Sequence, residues 1–208
     1  STMDKEAVLN AAKGEKIDYI LTACGDQPLS TMAYVSAQMG LPCYLTEEDV
    51  RNLTNKLYMK RMMMKNNIPT SKFVSINKDW KYSDFSELRY PLVVKPVDSN
   101  GSKGVKKVDN QDELDVYLQE SFKYSISGDV IVEEFNDGEE VSIDIYVENS
   151  TVKLLSVISL NKIRQNKKSF TIVQSCYPPS FECDNAEVIT IAQKIVNSFG
   201  LHDTPLLI

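Results

Sequence analysis

The stretch PLVVKPVDSNGSKGVKKV, residues 91–108, runs from an apolar segment into a loop of small residues and out again into a short strand-like segment. Side chains alternate along a strand, so Lys95 shares a face with Val93, while Val94 points with Leu92 to the opposite face. A lysine in such a run costs free energy unless a negative group meets it. The loop Ser99-Asn100-Gly101-Ser102-Lys103-Gly104 offers backbone amides, and its two glycines let the backbone approach a phosphate closely. Two readings fit. In one, Lys95 and the loop hold the phosphates of a nucleotide. In the other, the lysine head reaches solvent past a buried stem and the loop is an ordinary turn. The loop has neither the GxxxxGK[ST] of a P-loop nor a GxGxxG that opens a helix.

Upstream, residues 4–13 read as a short helix and IDYILTA (17–23) as a buried strand of a small parallel sheet. QPLSTMAYVSAQMG (27–40) reads as a helix between Pro28 and Gly40. Thr46-Glu47-Glu48-Asp49 has the form of a capping box. NKLYMKRMMMKNN (55–67) is a further helix, stopped by Ile68-Pro69. Downstream the period changes. Strands are expected at 72–76, 91–96, 105–108, 129–135, 139–148, 152–160 and 169–177, with a possible helical turn at 83–89 and helices at 111–122 and 185–200. In EEVSIDIYVE (139–148), Val141, Ile143, Ile145 and Val147 alternate with polar residues, as in a half-buried antiparallel strand. The expected division is an α/β piece over 1–53 and a mixed α+β body over 54–208.

Composition narrows the function. A net charge of −6 argues against a non-specific nucleic-acid binder, which carries a basic patch or stripe. The four cysteines (Cys24, Cys43, Cys176, Cys183) are widely spaced and form no CxxC, as expected of free thiols in a reducing compartment. The sequence has no signal-peptide pattern and no apolar run long enough to span a bilayer, so a cytoplasmic enzyme or binding protein, with no membrane partner, is the expectation. A protein kinase would need an HRD loop and a DFG motif, and neither occurs. His202, the only histidine, reads as a surface residue, and Met59, Met62, Met63 and Met64 read as flexible core packing.

A third stretch carries chemistry. In VIVEEFNDGEEVSID (130–144) an apolar strand runs into Glu133 and Glu134, bends at Asp137-Gly138 and leaves with Glu140. A solvated acidic hairpin would look the same. The sharper reading is a connecting segment whose backbone meets an adenine edge, with a later carboxylate on ribose hydroxyls.

Taken in order, three stretches resemble the ATP-grasp superfamily. NKLYMKRMMMKNNIPTSKF (55–73) is similar to its lysine-bearing helix and Ile-Pro turn. Residues 91–108 are similar to its phosphate strand and loop, and VIVEEFNDGEEVSIDIYVE (130–148) to its adenine hinge and ribose strand. The nearest flavour is the carbamoyl-phosphate synthase large chain and the carboxylate–amine ligases. The implied fold, of mixed α/β and α+β class, is a partial ATP-grasp domain preceded by the tail of a small α/β domain. A lid subdomain would cover about residues 70–135 and a larger subdomain would start near residue 136.

The resemblance implies roles position by position. Lys56 and Lys95 would contact ATP phosphates, and Ser99, Asn100, Gly101, Ser102 and Gly104 would close over the triphosphate. Glu133 would sit at the adenine, the backbone of Glu134, Phe135 and Asn136 would pair with its edge, and Glu140 would bind the ribose. Lys162 and Arg164, in SLNKIRQNKKSF, would hold the acceptor carboxylate or the transferring phosphate, a solvated basic loop being the alternative. Asn55 stands where relatives often have Asp. The family's Mg2+ ligands would lie beyond Ile208, with none inside this chain, so the chain is expected to bind ATP better than it uses it. The implied reaction transfers the γ-phosphoryl of ATP to a small carboxylate, giving an acyl phosphate for attack by an amine. A non-catalytic ATP sensor is the alternative.

Overall fold

The structure, a computed structural model, describes residues 1–23, 25–99, 101–162, 170 and 172–208. The first part is helical: α1 (Lys5–Glu15), α2 (Leu29–Met39) and α3 (Glu47–Thr54). Asp4 caps α1 by accepting from the Ala7 N–H, and Thr46 and Asp49 form the capping box that starts α3. Gly40, at φ 66°, ends α2 in the left-handed conformation that glycine adopts without strain.

Residues 17–23 do not form the expected strand. A strand needs a neighbouring ladder, and among the described residues none lies beside this segment. Ile17 and Ile20 instead pack against the cluster of Leu9, Ala12 and Val35 between α1 and α2, while Tyr19 and Leu21 are exposed. The small parallel sheet is therefore absent here, and every strand pairing in the described chain is antiparallel.

Helix α4 (Lys56–Lys65) follows, capped by the Asn55 side chain, which accepts from the Tyr58 N–H at 2.9 Å. Asn and Asp are comparable caps, so the exchange at this position leaves the helix start intact. The first sheet contains β1 (Phe73–Ile76), β2 (Leu92–Pro96), β3 (Lys106–Val108) and β4 (Val130–Glu134), in the order β1-β4-β2-β3. One face carries Leu92, Val94, Val130 and Val132 and is covered by Leu114, Leu118 and Phe122 of α5 (Gln111–Tyr124). Fully burying a side chain such as Leu114 or Leu118 contributes about 1.5–3 kcal/mol. That face anchors the sheet, which frees the opposite one for chemistry.

The second sheet has the order β7-β6-β5-β8, from β5 (Val141–Glu148), β6 (Thr151–Lys162), β7 (Ile172–Cys176) and β8 (Thr204–Leu207). Asn149 and Ser150, both at positive φ (49° and 60°), make the tight turn between β5 and β6. Helix α6 (Asn185–Phe199) buries Ala192 and Val196 against Ile145, Val147 and Val152. Residues 135–140 carry the chain from the first sheet to the second, and a cleft opens along this crossing. No helix among the described residues is long and apolar enough to cross a membrane. Cys43, Cys176 and Cys183 are unpaired; Cys24 lies outside the described residues.

Candidate nucleotide cleft

The cleft has a volume of about 670 Å³. Its wall on the first sheet is set by alternation and register: Val93 pairs with Lys107 on one side and Glu133 on the other, and all three side chains line it, with Lys95 two residues beyond Val93. The far wall is the end of β6, with Leu160, Asn161 and Lys162, together with Phe170. The floor between them runs from Glu134 through Phe135, Asn136, Asp137 and Gly138 to Glu140.

The centre of the first wall is a carboxylate between two ammonium groups. Lys95 Nζ donates to Glu133 Oε1 at 2.5 Å, and Lys60 Nζ stands 2.6 Å from Glu133 Oε2. The second contact is an ion pair without the alignment of a hydrogen bond. Lys60 spends its directed bonds on Thr70 Oγ1 at 2.8 Å and on the Ser71 carbonyl at 3.4 Å, and its ammonium lies over the Phe73 ring. Burial holds the Lys60 ammonium below the usual lysine value; Glu133 opposes that shift and Lys95 adds to it.

Lys60, which the sequence does not single out, is the second lysine paired to Glu133. It lies one turn from Lys56 on the same face of α4, since residues four apart on a helix are stacked neighbours. Lys56 does not line the cleft. Its Nζ donates to the Ser99 carbonyl at 2.5 Å and its N–H to the Val97 carbonyl, so it tethers the start of the loop after β2. Burial and the charge of Lys95 lower its ammonium, partly offset by Asp98 and Asp26. Lys107 is a second residue not singled out earlier; it stacks over Phe135 at 4.2 Å from the ring centroid.

The loop after β2 is built on left-handed residues: Gly101 (φ 66°), Ser102 (φ 57°) and Gly104 (φ 72°). A Cβ on Gly104 would stand 2.9 Å from both Pro96 Cγ and Tyr124 Cδ2, so that glycine is required by packing as well as by φ. Asp98 fixes the base of the loop by accepting from the N–H groups of Ile126 and Ser127 at 2.9 and 2.7 Å. Burial works to raise the Asp98 carboxyl, but those bonds outweigh it and hold the carboxyl below its ordinary value. Ser99, Gly101, Ser102 and Gly104 do not line the cleft; Ser99 faces a separate pocket with Lys103 and Asp98. Asn100 lies outside the described residues.

At the crossing, the Glu134 N–H is bonded to the Lys72 carbonyl and the Phe135 N–H to the Pro91 carbonyl, both at 2.9 Å. Those two amides are committed to the sheet edge, which leaves the Asn136 N–H as the available donor among the three hinge residues. The Glu133 carboxylate, expected at an adenine, is held by the lysines. Glu140 pairs with Lys162 across the cleft, and the Lys162 ammonium also faces the Phe170 ring. Arg164 lies outside the described residues. No group of three or more His, Cys, Asp or Glu side chains among the described residues is placed to hold a metal ion.

Residues 54–169, more than half the chain, match the family model described as "Phosphoribosylglycinamide synthetase, ATP-grasp (A) domain". The chain belongs to the ATP-grasp family. Among curated proteins it is 34% identical over 91 residues to the D-alanine–D-alanine ligase of Lacticaseibacillus casei, covering 44% of this chain and 25% of that protein. It is 30% identical over 155 residues to the phosphoribosylamine–glycine ligase of Pyrococcus furiosus, covering 72% of this chain and 35% of that protein. A solved structure of D-alanine–D-alanine ligase from Bacillus anthracis complexed with ATP aligns at a TM-score of 0.75 and 21% identity, over 96% of this chain and 65% of that one. The fold is thus that of ATP-grasp ligases, and this chain spans only a quarter to about a third of the curated relatives' length.

Proposed function

We propose that this chain is the ATP-binding part of a cytoplasmic ATP-dependent ligase, one that activates a small carboxylate as an acyl phosphate for attack by an amine. The observation that carries this reading is Lys95 on the wall of a cleft of about 670 Å³, with Lys60 buried behind that wall and paired to the same Glu133 carboxylate. Two ammonium groups around one carboxylate leave a net positive charge there, which suits a polyphosphate. Lys95 and Lys60 hold phosphate oxygens, and the loop from Ser99 to Gly104, which does not line the cleft, must shift toward it to supply amides to the triphosphate. The Asn136 amide, with the hinge carbonyls, addresses the base. Glu140 accepts from ribose hydroxyls once it parts from Lys162, and Lys162 then turns to the transferring phosphoryl group. The first sheet with α5 forms the small lid subdomain, behind the helical piece at residues 1–53, and the second sheet begins the larger one.

In the reaction the carboxylate oxygen attacks the γ-phosphorus, ADP leaves, and the amine displaces phosphate from the acyl phosphate. Positioning and charge neutralisation are the protein's contribution. The described residues offer no cluster that fits Mg2+, and no role above depends on one. The sequence flavour of a carbamoyl-phosphate synthase is the narrower version of this reading. The names of the matched relatives favour the broader one, a carboxylate–amine ligase.

Thermal unfolding with and without about millimolar Mg-ATP tests the binding half, because a ligand that binds only the folded state raises the midpoint. A rise in the wild type that Lys95→Ala loses is the expected result. Removing that charge-assisted contact weakens ATP about ten- to a hundredfold. An equal rise in the mutant would remove Lys95 from the site.

A further inference from the structure

Glu133 is a buried carboxylate, 9% exposed, and its two oxygens face ammonium groups from different elements, Lys60 on α4 and Lys95 on β2. Two cations that close in a poorly hydrated site repel each other, and each would shed its proton more easily without an intervening anion. Lys60 is also fixed by Thr70 and Ser71, so its head cannot swing to water to relieve that repulsion. The other charged groups around the pair are Lys56 on α4, Lys107 on β3, Glu134 at the end of β4, Asp137 and Glu139 on the crossing, and Glu140 with Lys162 across the cleft. None of these is within ion-pair distance of Lys60 or Lys95 among the described residues. Among the described residues, Glu133 is thus the one anion within ion-pair distance of both lysines.

We propose that Glu133 is a positioning residue rather than a nucleobase ligand: its carboxylate clamps Lys60 and Lys95 together as a paired phosphate receptor. This rests on the ATP reading of the cleft. The side chain acts through the lysines, so its removal must affect phosphate binding and leave the base and ribose contacts alone. It must also make phosphate binding depend on pH, because a lysine that has lost its counter-ion in a buried site deprotonates at lower pH.

The experiment is titration of the full 208-residue chain with ATP and, separately, with adenosine, for wild type, Glu133→Gln and Glu133→Asp, from about pH 6 to about pH 9.5. Wild-type ATP affinity is expected to stay nearly flat over most of that range. Glu133→Gln is expected to weaken ATP further as pH rises, by roughly tenfold between the two ends, with adenosine affinity unchanged. Glu133→Asp keeps the charge but is one methylene short, so it should fold and show an intermediate profile. If Glu133→Gln does not fold, Glu133→Asp decides alone, and ATP affinity and pH profile both identical to wild type would overturn the proposal. Equal weakening of adenosine and ATP in either variant would also overturn it, by placing Glu133 on the base. Absence of ATP binding by the folded wild type would overturn the cleft reading and this proposal together, whereas wild-type binding with a flat Glu133→Gln profile would overturn this proposal alone.

Discussion

The cleft has two walls, each holding an ion pair, and the two pairs differ in kind. At the first sheet, Lys95 and Glu133 on its strands and Lys60 on α4 have side chains only 20%, 11% and 10% exposed, each held by a strand register or a helix position. On the second, Lys162 and Glu140 are 26% and 45% exposed, and Lys162 stands beside a segment of which residues 163–169 are outside the described part. Buried charges are costly to rearrange, so the first wall keeps its shape before any ligand arrives. A half-exposed pair is screened and cheap to exchange, so the second wall can give up its internal partner for a ligand hydroxyl or phosphate. One wall is preset and the other is available for re-pairing, a division that suits the proposed function of binding a nucleotide and then acting on it.

The comparison breaks most sharply at Glu133. Glu133→Leu strands two buried lysines and is expected to lower stability by about 3–5 kcal/mol, read by urea unfolding. A loss well under that would mean the lysines find water or other partners, and the two walls would not differ in the way described. At the other end of the scale, Lys162→Ala removes only a half-exposed partner. Its expected cost is within about 1 kcal/mol, shrinking further at high salt, in the same unfolding assay. A larger, salt-insensitive loss would make the second wall as preset as the first.

The fold was legible where a short-range signal decided it. Alternation placed Val93 and Lys95 opposite Leu92 and Val94, and the register confirms that split, with Leu92 and Val94 in the core beneath α5. The capping box at Thr46, the turn at Asn149-Ser150 and the helix stop at Gly200 lie where the residues say. Residues 17–23 failed because an apolar run specifies burial, not a ladder, and among the described residues no partner strand pairs with it. At the site, α4 carries two lysines one turn apart, of which Lys56 bonds the loop after β2 and Lys60 pairs with Glu133. Helical periodicity makes positions 56 and 60 equivalent in direction, and only the distance to β4 tells them apart. The question of what meets Lys95 had an answer inside the chain: Glu133, thirty-eight residues on, which pairing between β2 and β4 brings within 2.5 Å. Nothing in the local sequence shows that contact, because it exists only once the antiparallel register is set. The commitment of the Glu134 and Phe135 amides to Lys72 and Pro91 was hidden for the same reason.

In the proposed site Lys60 and Lys95 together form the phosphate receptor around Glu133, while Lys56 serves the loop after β2. Isothermal titration of ATP into Lys60→Met and Lys56→Met, beside wild type, tests it most directly. The account predicts a ten- to hundredfold weaker affinity for Lys60→Met, about 1.5–3 kcal/mol, and a loss of less than about tenfold for Lys56→Met. Wild-type affinity in Lys60→Met with a large loss in Lys56→Met would contradict it, and would return the phosphate site to the first turn of α4.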